Sequence, residues 1–363
     1  MKKTLVVLLA IVMAVSLVAC GQAADTEETT AATEAPAAVT AEEPTAAPEA
    51  EKVTITGKSA SEVVVAGLTN VESYFGSNTL AGMQDACDEY GVKFVSSNYN
   101  GDATKEVEAV NTYVAQKVDA ICSSVGETTI DLYKQAVDAG IAVGAMNTVG
   151  DRVDFLVSNV TYDQGALGDA TVDYAVEFIK ENLDSKPVVH MIRVIEGFKT
   201  DARGDAFMAG LAEAFGEEYG KPVSKSSGYV EAVAMQQTLD ALTANPGINI
   251  IFCESENAVI GAESAIDSAG YTGKVFVFGI DGSEQMCEKL LDESKATFQG
   301  SGAQNPYEMG YTGMYRLLEV LFGERDANPE AELLAPVSIN KGDLVTVQAF
   351  YDQLIELRTL SGN

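Results

Sequence analysis

Histidine and tryptophan are almost missing from this sequence: 363 residues contain one histidine, His190, and no tryptophan. A lone histidine excludes metal sites built on two or three imidazoles and weakens any Ser–His or Cys–His catalytic pairing. Cations are scarce as well. Lys and Arg number 23 against 54 Asp and Glu, for a net charge of −31. Such a chain is a poor partner for nucleic acid and for anionic lipid held by charge alone. Beyond residue 18 no apolar run approaches membrane length. No cysteines are spaced CxxC, which argues against zinc, and the sequence lacks the P-loop, GxSxG, HExxH and GxGxxG motifs. These absences predict a binding protein, not an enzyme, with no metal and no cofactor. What is present is ordinary globular material, 47% apolar, enough for two domains or one large one.

The first twenty residues read as an address. Lys2 and Lys3 precede an apolar run over 5–18, which ends in Leu17-Val18-Ala19-Cys20-Gly21. The run is too short for a stable span. Small residues before Cys20 resemble the lipobox of bacterial lipoproteins. That resemblance implies cleavage after residue 19 and acylation of Cys20, with palmitate-type chains tethering the protein to the cell membrane outside the cytoplasm. The alternative is an uncleaved signal anchor with an incidental cysteine. Residues 20–60 are rich in Ala, Thr, Glu and Pro and poor in large apolar side chains, so they predict a disordered acidic tether. Eight carboxylates and four lysines fall within residues 1–60, so the remainder keeps −27 of the −31 charge.

From residue 61 onward, short apolar runs alternate with helical patterns. The spacing predicts strands over 63–68, 93–97, 120–124, 142–147, 188–194, 225–230, 249–254, 274–281 and 296–300. Helices are predicted over 79–90, 104–117, 130–139, 171–182, 207–219, 232–244, 258–269 and 307–322. Several helices end in glycine, as at Tyr90-Gly91 and Ala139-Gly140, where a left-handed residue stops the helix. Strands such as Val63-Val64-Val65-Ala66 are continuously apolar, which suits parallel sheets covered on both faces. The fold class expected is α/β: two doubly wound, Rossmann-like lobes with a cleft between them.

Ligands of open α/β sheets sit beyond the carboxyl ends of the strands. There the sequence places Asn70, Tyr74 and Phe75, then Asn147, then Thr200, Asp201 and Arg203, then Tyr229. Further on come Ser255, Glu256 and Asn257, then Asp281, then Gln304. Amides and carboxylates bond hydroxyl groups, and aromatic faces cover the C–H side of a ring. Asp281 could instead cap the helix after Gly282, and Arg203 could pair with an acid on its own helix. Asn305-Pro306 with Glu308 reads first as a helix start, and His190 as a core residue. Cys87, Cys122, Cys253 and Cys287 allow two disulfides by count, but a body this large needs no staples, so buried free thiols are expected.

In these residues the chain resembles the type I periplasmic binding proteins, and within them the ribose/galactose-type sugar-binding lipoproteins of ABC importers. The resemblance covers about 62–322. It rests on Tyr74-Phe75 leading to Gly82-Met83, on Asp138-Ala139-Gly140 leading to Asn147-Thr148, and on Thr200 and Arg203 before Phe207. It rests also on Ser255-Glu256-Asn257-Ala258, Phe278-Gly279-Ile280-Asp281-Gly282 and Ala303-Gln304-Asn305-Pro306-Tyr307. It implies a periplasmic binding protein-like fold with three hinge crossings, near Ser158-Asn159, Gln304 and Ser338. One lobe would hold 61–158 with 305–338, the other 159–304 with 339–363. Tyr74 and Phe75 would stack on a sugar, Asn147 would bond its hydroxyls and Tyr229 would wall the second lobe. Asp201, Arg203, Ser255, Asp281 and Gln304 would complete the ligand site. The expected function is capture of a sugar or polyol by a monomer that delivers it to an ABC permease. Alternatives are a ligand sensor presenting its closed form to a membrane receptor, and a purine-nucleoside-binding lipoprotein. Where ribose-type members carry Asp-Arg this chain has Asn147-Thr148, and Asp201 stands where an arginine often lies. The surplus of carboxylates (Asp201, Glu256, Asp281) would tolerate an amino-bearing ligand.

Overall fold

The structure is a computed structural model that describes residues 54–70, 74–184, 186–228 and 230–360. The address segment, Cys20 and the tether as far as residue 53 lie outside the described residues. Residues 54–60, counted above with the tether, instead belong to the folded body. Thr54 is buried, the Ile55 N–H donates to the Leu321 carbonyl at 3.1 Å and Ala60 enters the core.

Twelve strands are present among the described residues: β1 (Val64–Thr69), β2 (Lys93–Asn98), β3 (Ala120–Val125), β4 (Ala142–Val149), β5 (Ser158–Tyr162), β6 (Val189–Arg193), β7 (Ser224–Ser227), β8 (Ile250–Cys253), β9 (Phe276–Ile280), β10 (Phe298–Ala303), β11 (Glu332–Leu334) and β12 (Val337–Asn340). They form two sheets, ordered β2-β1-β3-β4-β5-β11 and β7-β6-β8-β9-β10-β12. All pairings are parallel except β10 with β12. β3, β6 and β9 are buried at every position, the consequence of helices on both faces.

The helices are α1 (Tyr74–Tyr90), α2 (Ala103–Gln116), α3 (Ile130–Asp138), α4 (Gln164–Asp169), α5 (Val172–Asn182), α6 (Asp201–Phe215), α7 (Glu231–Ala244), α8 (Glu256–Ser268), α9 (Glu284–Leu291), α10 (Pro306–Leu321) and α11 (Leu344–Leu360). α1 and α6 begin several residues before the periodic apolar pattern does, with first turns that border the cleft. Gly91 and Gly140 have φ of 69° and 87°, the left-handed stops expected of them.

Three strands were not anticipated. β5, β11 and β12 are short and partly polar, and pairing at or beside a sheet edge makes them strands. Because β5 belongs to the first sheet, the chain leaves the first lobe after Tyr162 and not at Ser158-Asn159. It returns at Gln304-Asn305, between β10 and α10. It crosses again at Ala335-Pro336, between β11 and β12, just before Ser338. Asn305 caps α10 by accepting the Glu308 N–H, with Pro306 as the first helical residue.

His190 lies buried on β6 between the hydroxyls of Ser224 and Ser226, at 2.8 and 3.1 Å. Burial pulls its pKa down to about 4, the signature of a neutral core histidine. Cys87, Cys122, Cys253 and Cys287 are buried free thiols. No helix among the described residues is long and apolar enough to cross a membrane.

Candidate functional site

Strand order reverses once in each sheet, where β1 lies between β2 and β3 and β6 lies between β7 and β8. Neighbouring crossovers depart in opposite directions there and leave a crevice at the carboxyl ends. A cavity of about 360 Å³ occupies that place, lined by both lobes. β1 leads to Asn70 and the α1 residue Phe75, β3 to Ser124, and β4 carries Asn147 near its end. From the other lobe β8 leads to Ser255 and Glu256, β9 to Asp281, β10 to Gln304, and the start of α6 supplies Thr200 and Arg203. A second cavity of about 500 Å³ adjoins it and shares Asn147 and Thr200. That one lies toward Asn159 and Pro329 on the hinge side and touches neither β1 nor β8, so the cavity at the two strand reversals is the candidate site.

Two residues of the site have left-handed backbones, Asn147 with φ 66° and Asp281 with φ 80°. Short side chains with a local hydrogen-bonding group tolerate that conformation best. The Asn147 carbonyl accepts the Thr161 hydroxyl. Asp281 is held at both oxygens, by the Gln304 amide at 2.7 Å and the Glu256 N–H at 3.0 Å, while its carbonyl accepts the Ser301 hydroxyl at 2.6 Å. It therefore serves the start of α8, and the following helix α9 is capped by Ser283. Arg203 is buried, donating from Nε to Gln164 Oε1 at 2.8 Å and from Nη1 to the Glu254 carbonyl at 2.7 Å. No acid of its own helix holds it.

The electrostatics are acidic. Burial pushes the Glu256 carboxyl up to about 7, opposed by Ser283 and reinforced by the charge of Asp281. Burial also raises Glu106, against the hydroxyl of Tyr133, which donates to it at 2.9 Å. Across the mouth, Lys199 of the second lobe reaches the Val149 carbonyl at 2.8 Å and Asp151 at 2.6 Å in the first.

Of the residues predicted for the site, Phe75, Asn147, Arg203, Ser255, Asp281 and Gln304 line this cavity together. Tyr74 does not: it packs against the hydrophobic cluster of the second lobe, because successive helical residues point about 100° apart. Asp201 does not either. Its carboxylate pairs with Arg193 at 3.0 Å and accepts the Gly197 N–H at 2.7 Å, closing the turn before α6. Tyr229 lies outside the described residues. Glu106, Tyr99 and Ser124 line the cavity but were not anticipated. Following the carboxyl end of β3 as the other strands were followed finds Ser124. Glu106 sits inside α2, where only tertiary packing brings it to the cleft.

Three lining residues, Ser124, Thr200 and Ser255, hold buried hydroxyl oxygens with no hydrogen-bond partner in the protein. Such atoms cost about 1–3 kcal/mol each, so native proteins keep few of them.

Comparison with known proteins agrees with this geometry. Residues 63–325 match the periplasmic binding protein domain. The D-allose-binding periplasmic protein of Escherichia coli K12 is 27% identical over 190 residues, 52% of this chain and 57% of that protein, so the match spans less than two thirds of that relative. The ABC transporter periplasmic-binding protein YphF of the same organism is 28% identical over 273 residues, 71% of this chain and 79% of its own. The crystal structure of an ABC transporter solute binding protein from Bacillus halodurans C-125 with bound myo-inositol superposes with a TM-score of 0.70 at 16% identity. It covers 81% of this chain and 98% of that one, a likeness of fold. With two doubly wound lobes enclosing a cleft at their strand reversals and a domain match over most of its length, the chain belongs to the periplasmic binding protein family.

Proposed function

We propose that this protein captures a sugar or related polyol between its lobes and delivers it to the permease of an ABC transporter, without chemical turnover. The observation that carries the reading is the set of buried, unpartnered hydroxyls at Ser124, Thr200 and Ser255 in one cavity wall system that also presents Phe75. A polyhydroxylated ligand satisfies such atoms, and an aromatic face covers its C–H surface. The names of the relatives, an allose binder and an ABC transporter binding protein, support the same class of ligand and partner. The Lys199 contacts between lobes suit a clamp whose closed form a membrane partner recognises. In this reading acylated Cys20 holds a monomer at the outer face of the cell membrane, and the acidic segment after it is the tether.

The test is a thermal-shift and calorimetric panel of sugars, polyols and nucleosides on full-length protein unfolded and refolded free of carried-over solute. At least one sugar or polyol is expected to raise Tm and to shrink the radius of gyration in solution scattering. Ser124→Ala is expected to stabilise the ligand-free protein by about 1 kcal/mol, by removing an unsatisfied oxygen, and to weaken the ligand several-fold. Lower ligand-free stability with unchanged affinity would show that Ser124 has no ligand role.

A further inference from the structure

The cleft carries more negative charge than hydroxyl recognition needs. Glu106 enters from the first lobe, Glu256 and Asp281 from the second, and Arg203 is the one cation among the described lining residues. Two of the Arg203 donor atoms are already engaged by Gln164 and the Glu254 carbonyl. Asp281 is engaged by Gln304 and the Glu256 N–H. Neither Glu106 nor Glu256 forms an ion pair with a described residue. Glu106 is only 4% exposed and its hydrogen-bond donors are neutral hydroxyls, those of Tyr133 at 2.9 Å and Thr129. Ser124, 5% exposed with its hydroxyl unpartnered, lines the same cavity, which is thus built to receive a polar group.

A carboxylate taken out of water must either gain a proton or gain a cation. Asp201, which the sequence placed in this acidic set, is removed by its pairing with Arg193. Glu106 takes its place from the opposite lobe. Opposed carboxylates on two closing lobes repel each other unless something positive lies between them. A cation there would favour the closed form, because only closure brings both acids to it.

We propose that the ligand is an amine-bearing sugar or polyol whose ammonium group sits between Glu106 of the first lobe and Glu256 of the second. The proposal rests on the sugar-or-polyol reading and narrows it to one class.

The experiment compares matched triplets by calorimetry on the full-length, solute-free protein: D-glucose, D-glucosamine and N-acetyl-D-glucosamine, with the galacto and manno series. At least one amine is expected to bind about tenfold or more tighter than both its hydroxyl and its uncharged N-acetyl counterparts. Glu106→Gln and Glu256→Gln are each expected to cut that preference about tenfold, with cooperative ligand-free unfolding retained. If Glu106→Gln does not fold, Glu256→Gln decides. Neutral members that bind as well as the amines overturn this proposal and leave the sugar reading standing. A preference unchanged by the folded variants also overturns it. If no member of these triplets binds while another sugar or polyol of the wider panel does, this proposal falls and the sugar reading stands; if nothing in either panel binds, both fall.

Discussion

Arg193→Leu is expected to destabilise the folded protein, and by about 1.4 kcal/mol more at pH 8 than at pH 5. Arg193 is buried at the end of β6. Its Nη1 donates to Glu254 Oε1 at 3.0 Å and to the Asp201 carbonyl at 2.9 Å, and Nη2 meets Asp205 at 2.6 Å. Glu254 is fully buried, and its second oxygen accepts the Val194 N–H at 3.2 Å. Asp205 is largely exposed, so its pair adds little. The pH-dependent part of the effect comes from Glu254, a charge left in the interior without its partner, while the Asp201 carboxylate loses its 3.0 Å pairing at both pH values.

The pH dependence follows from the sign of one shift. Burial raises Glu254 to about 7 even with Arg193 beside it. Its folded pKa exceeds that of an unfolded glutamate, so the stabilising contribution of its proton is complete below about 4.5 and is lost as pH rises through 7. Removing Arg193 deletes an opposing influence and moves that loss to higher pH. At pH 5 Glu254 is protonated in both proteins, and its part of the difference between them collapses. Denaturant unfolding at pH 5 and pH 8 reads this, since groups that do not touch Arg193 titrate alike in both proteins. Equal losses at the two pH values would rule out the buried charge as the cause. The Glu254 carbonyl also holds Arg203, and Ser255 and Glu256 follow it, so the cleft wall depends on the same ion pair.

Gly310→Ala is expected to cost about 3 kcal/mol, equivalent to a fall in Tm of roughly 6–12 °C. α1 and α10 cross with their backbones in contact. A Cβ at Gly310 would lie 2.0 Å from the Thr79 carbonyl oxygen, and one at Gly82 would lie 2.1 Å from that of Tyr307. Both obstacles are backbone atoms, so no rotamer change relieves them and the helices must separate. Separation also moves Phe75, in the first turn of α1, relative to Gln304, just before α10. Gly91→Ala is the comparison. Its Cβ would meet nothing, and only its φ of 69° opposes the change, so about 1–2 kcal/mol is expected. Thermal unfolding of the two variants separates close approach from backbone conformation. A Gly310→Ala protein no less stable than Gly91→Ala would contradict the crossing described here.

Repetition was the legible part of the fold. Nine predicted strands correspond to nine strands in the two sheets; the interior ones, such as β3, β6 and β9, are buried at every position and carry the apolar runs, while the edge strands β2 and β7 are partly exposed. The strands that escaped notice, β5, β11 and β12, take their conformation from the sheet margins they join and carry little pattern of their own. The hinge positions moved with them, since the lobe of β5 is decided by its pairing with β4.

The site divides along the same line. Residues that follow directly from a strand end, such as Asn147, Ser255, Asp281 and Gln304, were within reach of sequence because connectivity alone delivers them to the cleft. Tyr74 and Asp201 are one and two residues from Phe75 and Arg203, yet they serve packing and a turn. Adjacent helical positions look alike in a sequence and face different surroundings in space. By itself the sequence determined the parallel two-lobed architecture, the acidic character and the chemical class of the cleft, since these depend on composition and order. Only the tertiary structure decided which carboxylates share the cavity: Glu106 is in it and Asp201 is not, because proximity between lobes and the competing pull of Arg193 exist only once the chain has folded.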